Sequence, residues 1–417
     1  MPTKQPKKSY LRTTFSCFAG IFVQAIITNL MPILFIPLMK IYGFTYAHLG
    51  ILVAINFCSQ VATDLIFSAL IDKLSYKSIV LGANLGAFFG LALFSATPYL
   101  FSDIFTGLTI ATIIFSMSSG ILEVVLSPIT DGIPSDHKGG AMSLMHSFYA
   151  WGQAVFIILT TLFIHLFGGQ NWNKIAMFWL IMPAIDFFMF LNARFPDRID
   201  TASRQTMRQL ITKPYYIVAL LAIFFGAATE VTMNQWASVF SEKALMLPKL
   251  GGDLLGMCGF AVMLGLGRLL HGTALKKANI HNLLIWGSVV CVACYLIVGA
   301  STYAPVALLA IGLCGLASSL LWPGTLVVSA QKYPLAGGWM FAILAAAGDI
   351  GAAVSPMITG FVADHARDSN AFAWLWQALG TPAEQGGLRL AIALGAIFPV
   401  CTFFTHIYLK RKAGSKN

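Results

Sequence analysis

Uncharged, apolar runs about twenty residues long recur through this chain, and they leave very few folds open to it. A helix of that length crosses the hydrocarbon of a bilayer. Inside lipid, helices and closed barrels are the structures that satisfy every backbone polar group. Twelve such runs can be counted, at roughly 12–38, 46–71, 78–97, 104–130, 140–167, 175–193, 214–241, 251–275, 282–300, 304–330, 336–363 and 387–409. Charged residues make up 10% of the chain, against about 25% in a soluble protein, so most of the sequence belongs in lipid. The expected class is an all-α integral membrane protein. The first run is long and has no small-residue cleavage site, so a cleavable signal peptide is not expected.

The formal charge of +10 would by itself point to nucleic acid, but the placement of the basic residues decides otherwise. With the N-terminus inside, twenty of the 26 Lys and Arg residues fall in cytoplasmic segments and six outside, the bias that sets topology. Both termini are therefore expected in the cytoplasm and the chain in the cell (cytoplasmic) membrane, with the lipid bilayer rather than nucleic acid as partner. The long polar connection Arg194–Lys213 falls near the midpoint, with six runs on either side. This divides the chain into residues 1–193, a cytoplasmic linker 194–213, and residues 214–417. A weak repeat links the ends of the second helix of each half, Ser68–Lys77 and Gly267–Lys277. Trp374 and Trp376 read as an interfacial segment of an outer loop, since Trp favours the headgroup level.

No nucleotide loop of the GxxxxGK[ST] kind, no HExxH and no GxSxG is present, so neither ATP-driven pumping nor enzymatic chemistry is expected. Seven cysteines scattered through apolar runs read as small packing residues rather than a disulfide framework or metal site. No cofactor and no metal is expected.

Five acids fall well inside spans: Asp64, Glu123, Asp186, Glu230 and Asp349. An ionised acid in a membrane helix costs about 3 kcal/mol on insertion scales, so five would cost on the order of 15 kcal/mol, comparable to a protein's whole net stability. They must face water, pair with a donor, or hold a proton. Glu123 and Glu230 read as proton-coupling or solute contacts, with helix–helix bonding as the competing role. Glu230 shares a helix face with Asn234 by i,i+4 spacing, with Gln235 and Trp236 beside it. Such amides and an indole suit a polyol, whose hydroxyls bond polar groups while a ring face stacks on Trp. Asp64 and Asp349 are further proton-coupling candidates. Asp349 sits in Gly348-Asp349-Ile350-Gly351, where close helix packing competes, and Asp186 has no polar neighbours on its own helix. His146, Tyr149, Trp151, Trp322 and Trp339 are candidate ring or hydrogen-bond contacts. His165 and His406 read as interfacial. Arg268 is the strongly basic residue placed inside a span, near its cytoplasmic end. With no base expected at the midplane, anionic solutes are disfavoured and neutral or cationic ones remain.

Several of these segments resemble the major facilitator superfamily. Ser68-x-x-x-Asp72-Lys73-x-Ser75-Tyr76-Lys77 is similar to its loop motif, with Ser in place of both glycines. Gly267-Arg268-x-x-x-Gly272-Thr273 is similar to the sugar-symporter branch that includes the fucose permeases, and so is Glu123-x-x-x-Ser127-Pro128 in the fourth span. His146-Ser147-Phe148-Tyr149-Ala150-Trp151-Gly152 lies where that branch has Gln-x-Phe-Asn-x-x-Gly, and Glu230 with Trp236 looks like its Glu…Trp pattern. The resemblance implies twelve transmembrane helices in two six-helix bundles, with a solute site between the halves near the midplane. It implies proton coupling and sugar binding by Glu123 and sugar contacts by His146 and Tyr149. The branch's first-span acid falls on Pro32 of Asn29-Leu30-Met31-Pro32, so another acid, Asp64 or Asp349, takes over, or coupling is absent or uses Na⁺. The expected function is proton-coupled symport of a neutral sugar or sugar-like solute by a monomer, with Asp72 and Arg268 holding an inner gate and Pro128, Pro323 and Pro356 bending helices. The alternative is a proton antiporter exporting cationic or amphipathic compounds.

Overall fold

The computed structural model describes residues 10–44, 46–71, 73–135, 138–197, 207–275, 277–336, 338–368, 372, 374, 376–377 and 380–413. Regular structure among them is helical throughout. The spans are α1 (Leu11–Tyr42), α2 (Tyr46–Leu70), α3 (Tyr76–Leu100), α4 (Ile104–Gly132), α5 (Lys138–Phe167) and α6 (Gly169–Leu191), then α7 (Pro214–Lys243), α8 (Gly252–Gly272), α9 (Ile280–Ala300), α10 (Ala304–Lys332), α11 (Gly338–Asp368) and α12 (Gln385–Lys412). Eleven are long and apolar enough to cross a membrane, while α2 has a shorter apolar stretch, Ile51–Phe67. At 25 residues, α2 is still about 37 Å long, more than the roughly 30 Å of hydrocarbon.

Local chemistry starts and interrupts these helices. Ser75 Oγ accepts from the Ser78 amide at the start of α3, the Asp103 carboxylate from the Phe105 and Thr106 amides at α4, and Asn279 Oδ1 from the Asn282 amide at α9. Each cap occupies amides that a first turn leaves free. Three spans break, and in each the first residue to leave the helix stands four before a proline: Trp179 in α6 (Pro183), Ser319 in α10 (Pro323) and Gly395 in α12 (Pro399). Proline has no N–H to offer the carbonyl four residues back, and the helix parts there. Pro128 and Pro356, also expected to bend helices, lie within unbroken α4 and α11. The sixth span begins at Gly169 rather than near 175, because a 3₁₀ turn, Gly169–Asn171, continues directly into helix. The first turns of α8, Gly252–Cys258, are π-helical, with Gly252 and Gly256 set against the carbonyls of Ser238 and Ala237 on α7.

Two bundles result. In the first half α1 packs on α4, α5 and α6, and α3 on α4 and α6; in the second α7 packs on α11, α10 and α12, and α9 on α10 and α12. The halves meet where α2 touches α11, α5 touches α8 and α10, and α4 touches α11. Large apolar side chains such as Phe89, Leu309, Met357, Phe361 and Phe404 are exposed on the outside, as a surface facing acyl chains requires. Because spans alternate in direction, the described ends of α1 and α12 share one face, called here the terminus face. Trp374 is exposed, whereas Trp376 is buried against Gly386 at the start of α12.

Candidate functional site

A small cavity lies on the seam between the bundles. Its wall takes Gln24 and Thr28 from α1, Phe57 and Gln60 from α2, Glu123 from α4, and His146 and Tyr149 from α5. Across the seam it takes Glu230, Val231, Asn234 and Gln235 from α7, Arg268 from α8, Trp322 from α10, and Asp349 and Ala352 from α11. Its volume is about 60 Å³, room for a few waters and too little for a sugar ring.

Arg268 organises the second-half wall. Its Nη2 donates to both Glu230 oxygens at 2.7 and 2.8 Å, its Nη1 to the His146 carbonyl at 2.9 Å, and its Nε to the Ser319 carbonyl at 2.9 Å. The last partner exists because of Pro323, which leaves the Ser319 carbonyl without its helical donor. The guanidinium carbon also lies 5.9 Å from the centre of the Tyr149 ring. The expectation that no base reaches the midplane is thereby corrected. The backbone position is near the end of α8, but the long side chain extends to the cavity wall beside Glu230. Glu230 is the carboxylate partner of a buried ion pair. An incoming anion would meet a cation whose charge is already paired.

On the first-half wall, Gln24 Nε2 donates to Glu123 Oε2. Gln60 joins α2 to α4 by accepting from Ser119 Oγ at 3.2 Å, and its amide donates to Asn56 at 2.8 Å. Ser127 Oγ and His146 Nε2 are 3.4 Å apart. Across the seam, Gln153 on α5 donates to Asn234 Oδ1 at 2.9 Å. Asp349 borders the cavity, and Asp64 on α2 lies against it from behind, fully buried. Both glycines flanking Asp349 have packing roles. A Cβ on Gly348 would lie 2.4 Å from the Trp322 ring, and one on Gly351 2.2 Å from the Phe224 carbonyl oxygen. Close packing and an acid turned to the cavity therefore coexist in one tetrapeptide.

The structure thus gathers Glu123, His146, Tyr149, Glu230, Asn234, Gln235, Trp322 and Asp349 on one wall. Trp236 is elsewhere. Its Nε1 donates to the Pro356 carbonyl at 3.3 Å and its ring covers Gly360, so it joins α7 to α11. Asp186 bonds Asn84 Nδ2 on α3 at 2.8 Å, a helix-to-helix contact away from the seam. Asp72 lies outside the described residues. His406, expected at an interface, is fully buried with neither ring nitrogen hydrogen-bonded. Gln24, Thr28 and Phe57 join the wall without being singled out by the sequence; two polar side chains four apart in α1 are the available signal. All seven cysteines are free thiols, and Cys291 and Cys294, three positions apart in sequence, gather with Cys314 between α9 and α10. No group of three metal-binding side chains occurs among the described residues.

Comparison with known proteins agrees with the helical fold. A profile described as Major Facilitator Superfamily matches residues 16–356. No curated protein gives a significant match. Among solved structures, a transporter of that superfamily, FucP, in the outward conformation is similar with a TM-score of 0.76 at 15% identity, covering 98% of this chain and 100% of that one. An asparagine-to-alanine variant of the E. coli fucose:proton symporter FucP gives 0.73 at 15% identity over 98% of this chain and 100% of that one. The proton:xylose symporter XylE bound to 6-bromo-6-deoxy-D-glucose gives 0.75 at 14% identity over 94% and 96%. At such identities the likeness is one of fold.

Proposed function

Because the chain belongs to the Major Facilitator Superfamily, we propose that it carries a neutral, hydroxyl-rich solute such as a sugar across the membrane together with a proton. The observation that carries this reading is the composition of the cavity wall. Amides (Gln24, Gln60, Asn234, Gln235) and rings (Tyr149, Trp322) face an interior where the lone guanidinium of the wall is already paired with Glu230. Hydroxyls exchange hydrogen bonds with amides, and ring C–H faces stack on indole and phenol. Two of the fold neighbours, a fucose:proton symporter and a proton:xylose symporter, support the same class.

Glu123 is the proposed proton carrier in the wall. Its described partner is the neutral amide of Gln24, and a carboxyl that faces each side in turn through the rocking of two halves moves a proton with each cycle. The halves are taken as residues 1–193 and 214–417 joined by 194–213. The proposed setting is the cytoplasmic membrane with both termini inside, supported by the twenty-to-six split of basic residues. In proteoliposomes, Glu123→Gln abolishes pH-driven accumulation of a transported sugar while solute exchange continues; uphill uptake at the wild-type level would remove Glu123 from coupling. The acids also suit the second reading, a proton antiporter for cationic compounds. Under an inward proton gradient the symporter concentrates solute within the vesicle, whereas the antiporter expels it.

A further inference from the structure

Asp64 and Asp349 are unused by the wall chemistry. Asp64 is fully buried on α2 and neither of its carboxyl oxygens has a hydrogen-bond partner; Asp349 Oδ2 on α11 is likewise buried and unpartnered. The two carboxyls lie against one another across the seam, with Glu123 of α4 as the third titratable group facing them. Glu123 is taken by Gln24 of α1, Glu230 of α7 by Arg268 of α8, and α10 contributes the uncharged Trp322. A pair of bare carboxylates in such a place is untenable, whereas one proton between them cancels a charge and makes a hydrogen bond.

The position of the pair gives that proton a task. Asp64 is six residues from the end of α2 and Asp349 eleven from the start of α11, about 9 and 16 Å from the terminus face along their helices. The seam is also shut on that side by α5 and α8, where a Cβ on Gly272 would be 3.0 Å from the Gly140 carbonyl oxygen and Ser143 Oγ bonds the Arg268 carbonyl at 2.9 Å.

We propose that Asp64 and Asp349 bind one proton between the two halves and that this shared proton latches the gate on the terminus face. While α2 and α11 touch, the proton sits on one carboxyl and hydrogen-bonds the other. When they part, each aspartate meets water and the proton leaves as hydronium, with no other bond made or broken. Release of this shared proton is then the same event as opening of the gate, in a chain whose first span offers no acid. This rests on the proton-coupled reading above, but its test needs no solute. The proton is bound in the latched form and lost on opening, so the latched form dominates at low pH. Each pH unit above the midpoint raises the open-to-latched ratio about tenfold.

Spin labels on Leu74→Cys and Leu335→Cys, exposed positions just after α2 and just before α11, read the gate by pulsed dipolar spectroscopy in lipid nanodiscs, with Cys58 and Cys401 changed to Ser. Between about pH 5 and pH 9 the population with the long distance grows by at least about tenfold. In Asp64→Asn/Asp349→Asn, and separately in Asp349→Asn, whose amide donates without titrating, it changes less than about twofold. A flat wild-type profile, or an unaltered response in both aspartate variants, overturns the latch, whereas failure of the Glu123→Gln uptake test alone leaves it standing and rejects the coupling role of Glu123.

Discussion

Replacing Arg268 by Met tests the centre of the site most directly. The change deletes the cation beneath Glu230, which is 8% exposed, together with the donors serving the carbonyls of His146 and Ser319. Stranding one member of a buried ion pair costs about 3–5 kcal/mol. At about 2 °C per kcal/mol for a large domain, the apparent melting temperature falls by about 6–10 °C. Glu230→Met strands the guanidinium instead and falls by a similar amount. The double variant, with neither charge buried, recovers at least about half of the loss, as replacing a whole buried pair by apolar side chains commonly does. Thermal unfolding of the four purified proteins at one scan rate supplies the cycle. A double variant as unstable as the sum of the singles would show that the 2.7 Å contact carries no coupling energy and would refute the reasoning. The same variants address selectivity. Glu230→Gln frees the charge of Arg268 and is expected to let anionic analogues compete for uptake where the wild type excludes them.

Three further outcomes follow from packing and hydrogen bonding. Gly348→Ala drives a methyl into the Trp322 ring and costs about 1–3 kcal/mol while raising the KM of uptake; Gly82→Ala, with nothing within 4 Å of its Cβ, is neutral or slightly stabilising by the same melting and uptake assays. Asn84→Ala removes the donor of buried Asp186 and lowers stability by about 1–3 kcal/mol, yet the ratio of solute to protons carried, measured by parallel tracer and pH recordings, stays at the wild-type value.

The spans are legible in the sequence because lipid leaves the backbone little choice: an apolar run of sufficient length becomes a helix, and lysines and arginines mark its sides. Acids are legible for the same reason, since a carboxyl in such a run stands out by its solvation cost. Gln24 and Thr28 are harder to see because an amide or hydroxyl costs too little to stand out. The reach of Arg268 is hidden in a different way. Its backbone position says where the side chain begins, while its end is set by Glu230 on one helix and by a carbonyl that Pro323 frees on another. The two tryptophans Trp236 and Trp322 look alike in sequence. Which one borders the cavity depends on the glycines opposite, Gly360 for the first and Gly348 for the second, and that pairing belongs to helix packing rather than to periodicity.

The π-helical opening of α8 bears on how chains of this kind align. A π turn holds one more residue than an α turn, so it behaves as a single-residue insertion stored inside a membrane helix. Everything after Cys258 is turned by about 100° relative to a regular helical wheel drawn from Gly252. Arg268 therefore owes its angular placement to the far end of its own span. A related chain one residue shorter between Gly252 and Cys258, with a regular helix in place of the π turn, would bring its equivalent of Arg268 to the same place beside Glu230, and an alignment that forbids gaps within transmembrane segments would pair the wrong residues.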